Sequence, residues 1–298
     1  MRVFVTGATG FIGSATVKDL IAAGHEVTGL ARSAEKAKAL AAAGAEVLMG
    51  TVEQAEILRQ GVERADGVIH TAFNHDFSQF KLNCENDRRV IGTLAEALAG
   101  SDRPLLVTSG TGAATGVTGR PVTEEDSALS ADEMPRGASE EAARAARAEG
   151  VNVTIMRLPQ VHDRTRAGLV NVLLALGYQH GFLGYLGDGS NRWPAAHVTD
   201  VARLYRLALE AARPGTVCNA VAEEGIAVKQ ILEVLGTRLG MRVAPVAPEA
   251  AEGYFGWLGP LAGTDLAASS ALTRERLGWA PAGPALLDDL AAFEPAQG

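Results

Sequence analysis

From its first residues the chain alternates short apolar runs with amphipathic stretches. "RVFVTG" reads as a buried strand, and "FIGSATVKDLIAAG" spaces its apolar positions at helical intervals before a glycine stop. "EVTGLAR" is a second strand, "SAEKAKALAAAG" a second helix and "AEVLMG" a third strand. "DGVIHTA" and "RPLLVTSG", separated by the helical "ENDRRVIGTLAEALAG", carry the alternation to "VNVTIMRLP". Near-continuous apolar strands between helices belong to a parallel sheet covered on both faces. The pattern predicts an α/β fold, a Rossmann-like doubly wound parallel sheet with a smaller C-terminal substrate lobe.

Beyond residue 158 the order loosens. "RAGLVNVLLALGYQHGF" has helical spacing, whereas "LGYLGDGSNRWPAAHVTD" has the glycine, proline and polar density of a loop that closes on something. "VTDVARLYRLALE" reads as a helix with Thr199 as its cap, and "GTVCNAV" as another strand. These elements predict a nucleotide domain over 1–160, with 190–222 returning to it. Residues 161–189 and 223–298 then make an interleaved substrate lobe.

At 298 residues the chain can bury a sizeable core. A formal charge of -8 offers no general footprint for nucleic acid. No stretch has the length of an apolar membrane span, and only Arg2 separates the initiator from the first strand, so a cytoplasmic protein with no membrane partner is expected. Cys84 and Cys218 form no metal motif and no disulfide scaffold.

The strongest local signal is "VTGATGFIG", which sets Gly7, Gly10 and Gly13 between a strand and a helix, with Thr9, Phe11 and Ile12 among them. Such glycines permit a tight turn and leave helix N–H groups available to a pyrophosphate. The second strand ends in Arg32 and Ser33, where an enzyme that binds a ribose 2'-hydroxyl commonly places an acid. A guanidinium pairs with a 2'-phosphate that a carboxylate would repel, so NADP(H) is favoured over NAD(H). The following strand ends place Thr71, Ala72, Phe73 and Thr108 at the same crevice, with Asn74 and His75 farther toward a substrate. Ser109 and Thr111 supply hydroxyls that could position a carbonyl oxygen.

"TGATGFIG", "IHTA", "VIGTLAEAL", "LLVTSG", "RLPQVHD" and "HVTDVARLYRLAL" occur in an order that resembles the extended branch of the short-chain dehydrogenase/reductase superfamily, the NAD-dependent epimerase/dehydratase-like proteins. The resemblance implies NAD(P) in the N-terminal lobe, a small-molecule substrate against the C-terminal lobe, and a homodimer, as such proteins frequently form. It also implies a Tyr-x-x-x-Lys pair within "MPRGASEEAARAA", where Arg136 and Glu140 stand instead. The serine or threonine of the family falls at Gly110, between Ser109 and Thr111. The chain therefore resembles an atypical member.

Hydride transfer to a carbonyl develops negative charge on oxygen, which needs an acid or a positioned donor. Arg136 can stabilise that charge but is a poor proton source. His75, Asp76 and His162 are further candidates, with turn stabilisation competing at each, and Tyr178 and Tyr185 are weaker ones. Trp193, Asn191 and Arg192, with Phe255 and Trp257, suit either a substrate wall or internal packing. His25, His70, His197 and Asp200 read as structural groups, and no zinc motif is present. The leading expectation is an NADP(H)-dependent reductase of a small carbonyl compound working without the Tyr-Lys pair. Two alternatives stand beside it: a non-enzymatic NADP-binding sensor or scaffold, and a quinone or enone reductase.

Overall fold

The computed structural model describes residues 1–114 and 120–294, so the last four residues of the expected C-terminal lobe lie outside it. In chain order its strands are β1 (Arg2–Thr6), β2 (Glu26–Ala31), β3 (Glu46–Met49), β4 (Gly67–His70), β5 (Leu105–Gly110), β6 (Val153–Leu158), β7 (Gln160–His162), β8 (Leu183–Leu186), β9 (Arg192–His197), β10 (Val217–Asn219), β11 (Glu223–Ala227) and β12 (Val243–Val246). The longer helices are α1 (Phe11–Ala22), α2 (Ala34–Ala42), α3 (Ala55–Glu63), α4 (Phe80–Leu98), α5 (Gly137–Ala148), α6 (Val170–His180), α7 (Val198–Ala211) and α8 (Val228–Leu239).

Seven strands form one parallel sheet in the order β3-β2-β1-β4-β5-β6-β10. Successive side chains of these strands fall into two separate cores. Val3, Val5, Ile69, Leu106 and Met156 pack with α1 and α7 on one face. Phe4, Val68, Leu105, Val107, Val153 and Ile155 pack with α3, α4 and α5 on the other. Burial on both faces explains why the strands read as unbroken apolar runs. The strand order reverses between β1 and β4, and ligands of open α/β sheets bind in the crevice outside the strand ends at such a point.

Residues 183–197 correct the reading of that segment as a loop. Gly187 and Gly189, at φ +62° and +71°, turn the chain between two strands. β8 pairs parallel with β12, and β9 lies between β7 and β11. Their partners are distant in sequence, so the local density of turn residues concealed them. These small sheets enclose a third core that contains Leu173, Leu183, Trp193, Ile231, Phe255 and Leu290. The cap of α7 is also corrected: the His197 side chain accepts from the Thr199 N–H, so His197 and not Thr199 is the N-cap.

Candidate functional site

At the β1–α1 junction Gly7 adopts φ +69°, and a Cβ there would lie 2.6 Å from the Ala72 backbone nitrogen. A Cβ on Gly13 would lie 2.0 Å from the Gly7 carbonyl oxygen, so helix and turn touch backbone to backbone. Gly10 is the exposed member of the three, and its N–H closes the turn on Gly7 O at 2.8 Å. No side chain caps α1 and no acid occupies its first turn. The first N–H groups of a helix have no intrahelical acceptor, so those of Phe11, Ile12 and Gly13 form an anion-binding end beside half-buried Thr9. The cradle therefore fits a dinucleotide pyrophosphate.

Thr71, Ala72 and Phe73 leave β4 alongside this turn, with Thr71 Oγ1 donating to Thr6 O at 2.8 Å. Arg32 is exposed at the end of β2 and makes no hydrogen bond or ion pair among the described residues. Ser33 caps α2 by accepting from Lys36 N at 3.3 Å. Arg166, a residue without an earlier assignment, brings a second cation to the mouth of α1, its guanidinium 5.7 Å from the Phe11 ring centroid. Its sequence signal is only its place in a polar turn after a strand.

Arg136 anchors the other side of the crevice. Its Nη1 donates to Asp87 Oδ2 at 2.7 Å and to Ser139 Oγ at 2.8 Å, and its Nη2 donates to Thr108 O at 2.9 Å. The guanidinium carbon stands 4.0 Å from the Phe73 ring centroid, within cation–π range. Asp87 also accepts from Ser139 Oγ at 2.6 Å and pairs with His70 Nε2 at 2.9 Å, while His70 Nδ1 lies 2.6 Å from Thr6 Oγ1. Burial opposes ionisation of Asp87, but the Arg136 charge and the hydrogen bonds from His70 and Ser139 outweigh it and hold the carboxyl at about 2. Thr108 Oγ1 bonds His70 O and Tyr205 OH, both at 2.6 Å, so its hydroxyl supports the strand ends. Burial raises the Tyr205 phenol well above its ordinary range. Asp87, Ser139 and Tyr205 were invisible as site residues in the sequence, because each depends on contacts between separate elements.

His75 sits exposed among aromatic rings, 5.3 Å from Phe73 and 6.0 Å from Phe77 between centroids. Desolvation and the Arg136 charge lower its pKa from the ordinary histidine value. Trp257 reaches over from the C-terminal part of the chain and stacks on Phe77 at 4.0 Å, with an interplanar angle of 8°. Asp76 is occupied in the turn, accepting from both the backbone and the hydroxyl of Ser78.

The remaining candidates lie elsewhere or deeper. Ser109 is buried, shares the β5 face of Leu105 and Val107, and its hydroxyl has no partner among the described residues. Thr111 is buried, and among the described residues its hydroxyl makes only a long contact to Leu158 O, at 3.4 Å. Glu140 is fully buried and forms a two-pronged pair with Arg157 at 2.8 and 2.9 Å. His162 is fully buried, with Nδ1 2.8 Å from Asp289 Oδ2, so it fastens the C-terminal helix Leu286–Ala291 to β7. Burial lowers its pKa against the opposing pull of Asp289.

Trp193 lies in the third core, Asn191 donates to Ala262 O and Thr264 O, and Arg192 pairs with Asp265. Phe255 is likewise core, and Tyr185 is buried, whereas Tyr178 is exposed. Asp200 accepts from the backbones of Ala282 and Gly283. Both cysteines are buried, and burial pushes Cys84 up to about 11 and Cys218 to about 12. The structure thus gathers the glycine turn, Thr71, Ala72, Phe73, Thr108, His75 and Arg136 around one crevice. It leaves His162 and Trp193 in the interior.

Among the described residues no group of side chains suits a metal ion, and no helix is long and apolar enough to cross a membrane.

The family model described as "NAD dependent epimerase/dehydratase family" matches residues 3–220. An uncharacterized protein of Schizosaccharomyces pombe is 43% identical over 295 residues, 98% of this chain and 99% of the relative. The 2'-dehydrokanamycin reductase of Streptomyces kanamyceticus is 30% identical over 257 residues, 83% of this chain and 69% of that protein. A dTDP-glucose 4,6-dehydratase from Streptomyces venezuelae, solved with NAD bound, shares the fold at TM-score 0.78 and 22% identity, over 98% of this chain and 95% of that one.

Proposed function

The chain belongs to the NAD-dependent epimerase/dehydratase family, in the extended branch of the short-chain dehydrogenase/reductase superfamily, and from that premise we propose that it is an NADP(H)-dependent oxidoreductase that reduces a small carbonyl compound without a Tyr-Lys pair. Members of the family bind NAD(P) and small-molecule substrates, and the similarity to a reductase supports the direction of the reaction.

The observation that carries the reading is Arg136, a cation held by Asp87 and the Thr108 carbonyl at the strand ends, where the sequence resemblance implies a tyrosine. Bound NADPH would supply the hydride. The N–H groups at the start of α1 hold the pyrophosphate, and Arg32 pairs with the 2'-phosphate from its unpartnered position at the end of β2. Arg136 stabilises the negative charge that develops on the carbonyl oxygen, already oriented by Asp87, Ser139 and the Thr108 carbonyl. Because its partners hold it before substrate arrives, little reorganisation is needed during the reaction. Water brings the proton, since a guanidinium stays charged at ordinary pH.

Nicotinamide fluorescence with wild type and Arg32→Glu tests the cofactor side. NADPH affinity should fall by about 10- to 100-fold, and NADH affinity by less than about threefold, the difference being a lost charge-assisted phosphate contact. Equal losses for both cofactors would remove Arg32 from phosphate recognition. NADPH consumption against aldehydes, ketones, quinones and enones tests the chemistry. Tight NADPH binding with no turnover on any acceptor would refute the oxidoreductase reading in favour of a binding protein.

A further inference from the structure

The guanidinium of Arg136 is only partly committed. Nη1 donates to Asp87 and Ser139, and Nη2 donates to Thr108 O. The Nε–H has no partner among the described residues, and beside it stands an Nη2–H. These two hydrogens lie on one edge of a planar fork and point in parallel, the geometry that grips an oxygen anion. One face of the fork is covered by Phe73 at 4.0 Å. From Phe73 a wall of rings continues through His75, Phe77 and Phe80 to Trp257, which is 40% exposed.

The hydroxyl and carboxyl groups around Arg136 are engaged among the described residues. Asp87 is ionised and faces the committed side of the fork. Ser139 spends its hydroxyl hydrogen on Asp87, and Tyr205 is fully buried. A saturated ketone or aldehyde would leave an alkoxide, whose conjugate acid is about as weak as water, at roughly 15.7. A quinone or enone leaves a delocalised anion closer to a phenolate, at roughly 10 as in tyrosine. A guanidinium edge beside a wall of rings suits the second, planar and delocalised product better than the first.

We propose that the acceptor is a planar conjugated carbonyl compound, a quinone or an enone, with its oxygen on the Nε–H and Nη2–H edge of Arg136 and its plane along the Phe73 to Trp257 wall. On a quinone the incoming hydride leaves a hydroquinone monoanion. On an enone it bonds to the β-carbon, the carbon–carbon π pair moves toward the carbonyl, and an enolate forms. In each case water then delivers one proton, so NADPH, one proton and the acceptor become NADP and the two-electron-reduced acceptor. The inference rests on the reductase reading and narrows it.

The decisive probe is 4-nitrophenol, whose phenolate absorbs visible light, titrated into the protein saturated with NADP across pH. Bound nitrophenol should ionise at least about one pH unit lower than free nitrophenol, a tenfold preference for the anion. Arg136→Met, and Arg136→Met with Asp87→Asn so that no carboxylate is left buried without its partner, should abolish that shift. In turnover with NADPH, a quinone or enone should exceed a saturated ketone of similar size by at least about 100-fold in kcat/KM. Nitrophenol that stays neutral or fails to bind, a shift that survives in the double variant, or equal turnover of saturated ketones would each overturn this inference. Equal turnover of saturated ketones would at the same time support the broader reductase reading, whereas failure to bind NADPH would end both.

Discussion

Replacing Asp87 with asparagine keeps the shape of the side chain and removes the charge that holds Arg136. The folded carboxyl is held at about 2 against an ordinary 3.8. At about 1.4 kcal/mol per pH unit, that gap is worth about 2 kcal/mol. Removing one partner of a buried ion pair costs about 3–5 kcal/mol, and the 15% exposure of Arg136 places this site toward the lower end. The expected loss for Asp87→Asn at pH 7 is therefore about 2–4 kcal/mol. The pH dependence has a definite sign. A carboxyl that is the stronger acid in the folded state contributes fully above about pH 4, and its contribution is lost as pH falls through about 2. At pH 3 roughly half remains, so the gap between wild type and variant should shrink by about 1 kcal/mol between pH 7 and pH 3. Urea midpoints at both pH values, followed by tryptophan fluorescence, measure the gap. A variant within about 0.5 kcal/mol of wild type at pH 7, or a gap that does not change with pH, would refute the reasoning.

Two further substitutions separate binding from architecture. Gly13→Ala would put a methyl group 2.0 Å from the Gly7 carbonyl oxygen, so the turn must open; NADPH affinity should fall at least about tenfold, with about 1–3 kcal/mol lost in stability from overpacking, and calorimetry showing undiminished binding would contradict the close-packing role. Glu140→Gln breaks a fully buried two-pronged pair with Arg157 and should cost about 3–5 kcal/mol, while the folded protein keeps wild-type NADPH affinity; a weakened cofactor at unchanged stability would instead place Glu140 in the site.

The glycine turn, the alternation of strand and helix and the groups at the strand ends were legible because each is local. A strand, a turn and a helix in nine residues carry their own signal, and an apolar run buried on both faces needs no knowledge of its neighbour. Residues 183–197 were not legible for the opposite reason. Leu183–Leu186 finds its partner at Val243–Val246, and Arg192–His197 at Gln160–His162 and Glu223–Ala227, so local glycine and proline content outweighed pairings formed only by the whole fold. Trp193 illustrates the same limit in a side chain, since the features that suit a ligand wall also suit the core in which it is fully buried.

Arg136 shows how far composition at a motif can go and where packing takes over. Its presence where the resemblance implies a tyrosine is visible in the sequence, but a lone arginine can face solvent, bind a ligand or neutralise a carboxylate. Asp87 lies 49 residues away on α4, and only the contact between α4 and α5 brings the two within 2.7 Å. That contact sets the state of the guanidinium in two ways. It offsets the charge of Arg136, so the cation can sit largely buried at rest without the full cost of an unpaired ion. It also occupies Nη1 and leaves the Nε–H without a partner among the described residues. An arginine without Asp87 would be a more mobile cation with less direction. The carboxylate that weakens its bare charge is what gives it a defined edge, and oriented donors, more than net charge, are what stabilise an anion as it forms.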